Sequence, residues 1–292
     1  MIRKIARKVY RSIPFKQPVF EVLRRAVSVP EPVYRHLHFH GVIEVPVEGE
    51  SFRMRHHGTQ IENEVFWSGL FGRWEGASLR LWVRAARQAR VVLDVGANSG
   101  LFALTAQAVA PRARVAAFEP VERVRRKLQD NVALNGFGVR VLPMALSSRD
   151  GTATMLDTGE EHELSATLDP AGTVLGDRAR GATTVSVPVA RLDSLVAAGT
   201  VAPPDLIKID VEGHEADVLL GMPEQLARRP ALLIEVLTTA AAARVDAIVR
   251  PLGYRIYRID PEGPRHVGAV APAPGSNLFL CSPEAAAALA LH

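Results

Sequence analysis

The 292 residues, 48% hydrophobic and 23% charged, are enough for one large core and exclude a disordered chain. A formal net charge of +4 is too mild to argue for nucleic acid as a partner, and the single cysteine, Cys281, excludes an intramolecular disulfide or a cysteine-built zinc site. No apolar run reaches the roughly 18 residues of a membrane span and the N-terminus lacks the apolar core of a signal peptide, so a cytoplasmic protein with no transmembrane segment is expected.

Residues 1–13 place Arg3, Lys4, Arg7, Lys8 and Arg11 on one side of a helical pattern and Ile2, Ile5, Val9 and Ile13 on the other. Such a helix either rests on an anionic membrane or packs on its own domain, and its narrow apolar face favours packing. Residues 33–47 alternate, with Val33, Leu37, Phe39, Ile43, Val45 and Val47 on one parity, which predicts a half-buried strand. A turn at Glu48-Gly49-Glu50 and the return through Phe52 and Met54 complete a β-hairpin. His36, His38 and His40 share the other parity; no carboxylate or cysteine completes a metal set, so a solvated polar face is the favoured reading.

From Leu79 the rhythm becomes that of α/β units. A helix over 79–89 precedes a strand at 91–93, a helix over 99–110, a strand at 115–118, a helix over 121–134 and a strand at 139–142. Short apolar strands alternating with helices imply a doubly wound, mostly parallel sheet. The pattern breaks over 150–190, where 152–156 suits a strand, 157–181 is a polar excursion and 183–189 is a strand again. It resumes with strands at 205–210 and 231–236, helices from Gly213 and over 240–250, and closing strands at 254–259 and 277–281. The expected organisation is an N-terminal helix and hairpin extension (1–60), a main domain (61–283) and a tail (284–292).

The most informative segment is Asp94-Val95-Gly96-Ala97-Asn98-Ser99-Gly100, at a strand-to-helix junction. Its D-x-G-x-x-x-G spacing differs from the dinucleotide G-x-G-x-x-G and suits a nucleoside that carries an amino acid. Glu119, ending the next strand, is placed to accept hydrogen bonds from ribose hydroxyls. A third block, Lys208-Ile209-Asp210-Val211-Glu212-Gly213-His214-Glu215, sets ionisable groups at the carboxyl edge of the sheet.

Together with Phe118-Glu119-Pro120 and Arg191-Leu192-Asp193-Ser194-Leu195, these blocks resemble the FkbM family of class I methyltransferases over residues 60–282. The resemblance implies a Rossmann-like sheet of seven strands with an antiparallel last strand. It also implies S-adenosylmethionine as cofactor and methyl transfer to a hydroxyl of a sugar or glycosylated natural product. Asp94, Gly96, Asn98 and Gly100 would then line the methionine part and Glu119 the ribose. It leaves residues 62–75, with Trp67 and Trp74, without a role.

A hydroxyl is a poor nucleophile, so a positioned base is expected: His214, with Asp210 or Glu212 orienting it or the acceptor. Asp210 and Glu235, ending neighbouring strands, are candidate Mg2+ ligands together with Glu212. Residues 55–80 and 157–181 are expected to wall the acceptor. The competing readings are a nicotinamide-dependent oxidoreductase, a silent fold that only binds a partner, and a methyltransferase acting on lipid or nucleic acid. The glycine spacing opposes the first, and no interleaved basic and aromatic run supports a nucleic-acid track.

Overall fold

A computed structural model describes residues 15–73, 75–159, 166–168, 181–272 and 277–291. The basic helix expected over 1–13, and most of the 157–181 excursion, lie outside the described residues.

The chain begins with α1 (Lys16–Ala26) and a short α2 (Glu31–Tyr34). The hairpin β1 (Gly41–Val47) and β2 (Glu50–His56) follows, then α3 (Gln60–Ser68) and α4 (Gly76–Ala86). The expected strand from residue 33 thus begins only at Gly41, because Pro30 starts a helical turn that ends at Tyr34. His36 and His40 sit exposed in the connecting loop, off any strand. Among the described residues no group of three or more His, Cys, Asp or Glu side chains can hold a metal ion.

The main sheet is built by β3 (Val91–Val95), β4 (Arg114–Phe118) and β5 (Arg140–Leu142), then β10 (Leu206–Ile209), β11 (Ala231–Glu235), β12 (Arg255–Asp260), β13 (Gly263–Val267) and β14 (Asn277–Cys281). Its order is β13-β12-β14-β11-β10-β3-β4-β5. The five strands from β5 to β11 run parallel, and β14 lies antiparallel between β11 and β12. The seven expected strands are present in a doubly wound order, with β13 added as an edge strand paired to β12. Helices α5 (Leu101–Val109) and α6 (Glu122–Asn135) cross between the first parallel strands, while α7 (Leu192–Ala197), α8 (Glu215–Leu220), α9 (Pro223–Ala227) and α10 (Thr239–Val249) serve the other half.

Period-two alternation divides the core between the two sheet faces. Val92, Ala117, Leu233 and Phe279 join one apolar cluster, whereas Leu93, Phe118, Ile234 and Leu280 join the other. Burial on both faces explains why these strands read as continuous apolar runs. The first cluster also takes Val45, Phe52 and Met54 of the hairpin, and Leu289 and Leu291 beyond α11 (Pro283–Ala288).

The hairpin is tied down by asparagines of α6. Asn135 accepts from the Arg53 N–H at 2.6 Å and donates to the Arg53 carbonyl at 2.7 Å. Asn131 accepts from the Arg55 N–H at 2.7 Å and donates to the Ser99 carbonyl at 2.9 Å. Side chains thereby satisfy edge-strand groups, and one of them reaches the glycine loop.

Part of the 150–190 excursion folds into a second sheet of order β6-β9-β7-β8, from β6 (Ala145–Leu146), β7 (Gly151–Asp157), β8 (Ala166–Thr167) and β9 (Thr183–Ala190). Its small core of Met155, Leu168, Val187 and Val189 packs on Val121 and Val124 at the start of α6.

Candidate functional site

The chain order reverses at β3, whose neighbours are β4 on one side and β10 on the other, and a crevice opens beyond the carboxyl ends of these strands. It is lined by the 94–99 segment, Glu119, Lys208, Asp210, Glu212 and His214, with Val121, Leu146, Met155 and Leu168 as apolar wall. The space measures about 1010 Å³, open mouth included.

The loop after β3 is held by backbone. The N–H groups of Gly96 and Ala97 donate to the Phe118 carbonyl at 3.1 and 3.0 Å. Gly96 has φ +79°, and a Cβ there would lie 1.8 Å from the Asp210 carbonyl oxygen. The glycine therefore admits the neighbouring strand end. Gly100, at φ +97°, opens α5, and a Cβ there would press on Leu128. Asp94 is 2% exposed and accepts from the Ala103 N–H at 2.9 Å, anchoring the first turn of α5. Burial pushes its carboxyl up to about 7, against the pull of Lys208.

Glu119 accepts from two backbone donors, Asn98 N–H at 3.1 Å and Val121 N–H at 2.9 Å, one on each carboxylate oxygen. Burial raises its pKa to about 7, with those two donors opposing the rise. Each oxygen keeps a lone pair, so the two acceptors fit a vicinal diol across the carboxylate. Glu62, which the sequence left unassigned, does not line the crevice but is fully buried against Ser99 of the loop, and burial lifts its carboxyl to about 7.

At the other end of the crevice an ion cluster gathers around Lys208. This lysine is 1% exposed, donates to Asp210 at 3.0 Å and places its Nζ 4.9 Å from the Phe102 ring centre. Desolvation disfavours the ammonium, but Asp210, Glu75 and Glu235 together raise its pKa. Burial also works against the Asp210 carboxylate, yet the Lys208 charge and a hydrogen bond from Glu235 hold it below the usual range. Glu235 goes the opposite way, pushed up to about 10 by burial and by the Asp210 charge. Glu75 is raised by burial, with Lys208 opposing. Asn277, beside Glu75, donates to Ser78 Oγ at 3.0 Å. Asp210 and Glu235 do meet, as the Mg2+ reading required, but they meet around a buried ammonium that supplies the positive charge. A second cation beside it would be repelled. The Mg2+ expectation is therefore not supported.

His214 stands at the N-terminus of α8, its Nε2 2.9 Å from Ser147 Oγ and its Nδ1 3.7 Å from Asp217. Asp217 is also paired with Arg244 at 2.8 Å. Glu212 takes a left-handed backbone at φ 52°, and its carbonyl accepts from the Thr167 hydroxyl at 2.5 Å, which ties β8 across the mouth. Glu215, 1% exposed, accepts from the Gly213 N–H at 2.9 Å and fixes the turn into α8. The acidic block thus mixes roles: Asp210 and His214 face the crevice, while Glu215 shapes the backbone. Lys208 carried a signal, a lone cation inside an apolar strand; Glu75 and Asn277, far away in sequence, carried none.

A family profile described as the methyltransferase FkbM domain matches residues 94–256. The chain is 35% identical over 191 residues to the AMB antimetabolite synthetase AmbE of Pseudomonas aeruginosa, covering 54% of this chain and 9% of that one. It is 29% identical over 166 residues to the hexuronic acid methyltransferase AglP of Haloferax volcanii, covering 56% and 63%. To the 31-O-demethyl-FK506 methyltransferase FkbM of Streptomyces tacrolimicus it is 31% identical over 159 residues, covering 47% and 61%. The chain therefore spans under two thirds of each of these relatives.

Proposed function

The chain belongs to the FkbM methyltransferase family, and on that premise we propose that it transfers a methyl group from S-adenosylmethionine to a hydroxyl of a sugar or glycosylated natural product. The observation that carries this reading is one crevice with a diol-accepting carboxylate, Glu119, at one end and a lysine-held carboxylate, Asp210, at the other. A hexuronic acid methyltransferase and an O-methylating enzyme of a natural product among the relatives support a hydroxyl acceptor. No helix among its described residues is long and apolar enough to cross a membrane.

S-adenosylmethionine bound in the crevice supplies an electrophilic methyl group. Glu119 would accept from the ribose hydroxyls, and the 94–100 loop would hold the methionine part through Gly96, Asn98 and Gly100, with Asp94 fixing the loop to α5. Val121, Leu146, Met155 and Leu168 offer apolar surface to the base. Asp210, kept ionised by Lys208, would take the proton of the acceptor hydroxyl, with neutral Glu235 donating a hydrogen bond to it. His214, with Nδ1 facing Asp217 and Nε2 held by Ser147, is the second candidate base. Glu212 lines the acceptor side of the mouth.

Calorimetric titration with S-adenosylhomocysteine, with NADH as control, tests the cofactor. Saturable binding of the first, lost in Glu119→Ala, is expected. Binding of NADH in its place would overturn the reading. Methyl transfer to hexuronic acid glycosides, followed by mass spectrometry, then tests the acceptor class.

A further inference from the structure

Helix α1 turns its apolar stripe toward solvent. Phe15, Val19 and Val22 recur at helical spacing and are 83%, 47% and 67% exposed. Exposed Ala26 continues their line. The side that faces the protein is partly polar. Gln17 donates to the Val42 carbonyl and Arg24 to the Phe66 carbonyl, both at 2.7 Å. Phe20 is the helix's one fully buried residue, packed on Phe39 and Trp67. A helix that serves only its own domain buries its apolar face, and this one leaves it open. Val27, directly after α1, and Val33, on α2, are 52% and 50% exposed. Among the described residues, Leu220 is the one large exposed hydrophobic side chain outside residues 15–33. Apolar surface gathered in this way marks a contact site.

The charge of the region selects the partner. Residues 1–20 contain Arg3, Lys4, Arg7, Lys8, Arg11 and Lys16 and no Asp or Glu. Exposed Arg25 lies on α1 itself, one turn from Val22. Two copies pairing through this face would bring together two helices that each carry Lys16, Arg24 and Arg25 against the single acid Glu21, which like-charge repulsion opposes. An anionic lipid surface meets both features: its headgroups attract the cations and its acyl boundary takes the apolar stripe. We propose that the outward face of α1 docks on an anionic membrane surface, with Phe15, Val19 and Val22 as the inserting side chains. The proposal is independent of the enzymatic reading.

Sedimentation of the full chain with vesicles tests it. Retention on vesicles of mixed phosphatidylcholine and phosphatidylglycerol, with little on phosphatidylcholine alone, is expected. The Val19→Ser/Val22→Ser variant should bind about tenfold more weakly, because two inserting side chains are lost. Both positions face solvent, and a melting curve confirms the fold; Phe15→Ser, at the most exposed position, serves if the double variant is unstable. Equal retention of variant and parent would overturn the proposal, as would no retention on anionic vesicles. A dimer seen by light scattering and dissolved by Val22→Glu, without vesicle binding, would assign the face to a second copy and likewise sink it.

Discussion

The two ends of the crevice are built by different means. At the Glu119 end, backbone N–H groups and glycine turns drawn from residues 94–121 do the holding. At the Lys208 end, side-chain charges from three separate segments are balanced against one another, with Glu75, Asp210 and Glu235 around one ammonium. At a backbone-built end the loss of a side chain removes a ligand contact but leaves the loop held, because main-chain bonds keep its shape. A charge-balanced one does not, because removing one member leaves the others buried and uncompensated.

The sharpest way to break this comparison is Lys208→Met. It leaves Asp210 without its ammonium among raised-pKa acids, and a loss of about 3–5 kcal/mol is expected in denaturant unfolding. A variant as stable as the parent would show that the cluster carries no net electrostatic weight. Asp210→Asn should fold but lower kcat by about 10²–10⁴-fold, with affinity for S-adenosylhomocysteine little changed. Loss of cofactor affinity instead would place Asp210 at the other end of the crevice.

Glu62 tests the cofactor end. Its folded pKa of about 7 exceeds the usual 4.5, so the folded state holds more protons than the unfolded one between those values. Stability should therefore fall as pH rises through that window. Glu62→Gln should remove the fall, gaining about 1–3 kcal/mol above the folded pKa and nothing below the unfolded one, as read from melting curves. A gain equal at both pH values would assign the effect to packing. The smallest effect is expected for His214→Ala, about a tenfold drop in kcat if its ring only assists, against a larger drop if it is the base. Comparing it with Asp210→Asn decides between the two.

Much of the fold was legible because the patterns that encode it are local. The apolar runs at 91–93, 115–118 and 231–236 became parallel strands within a residue or two of their expected ends. The Asp94–Gly100 and Glu119 motifs meet, since the loop and the strand end that carry them are neighbours in a right-handed α/β unit. Helix α1 was missed, with Pro18 interrupting its pattern and its apolar side facing outward. The asparagine clamp from α6 to the hairpin left no trace either, because Asn131 and Asn135 pair with backbone groups some eighty residues away.

The sequence by itself determined the alternation of strands and helices and the turn chemistry of the glycine loop, since both are set by periodicity and conformational preference within a few residues. Only the tertiary structure decided that Lys208 faces three acids and that the Gly96 notch is filled by the Asp210 carbonyl. It also decided that α1 presents its apolar side to solvent. The first two depend on the order in which β3, β10, β11 and β14 lie side by side, and sheet order brings together residues whose spacing along the chain carries no sign of it.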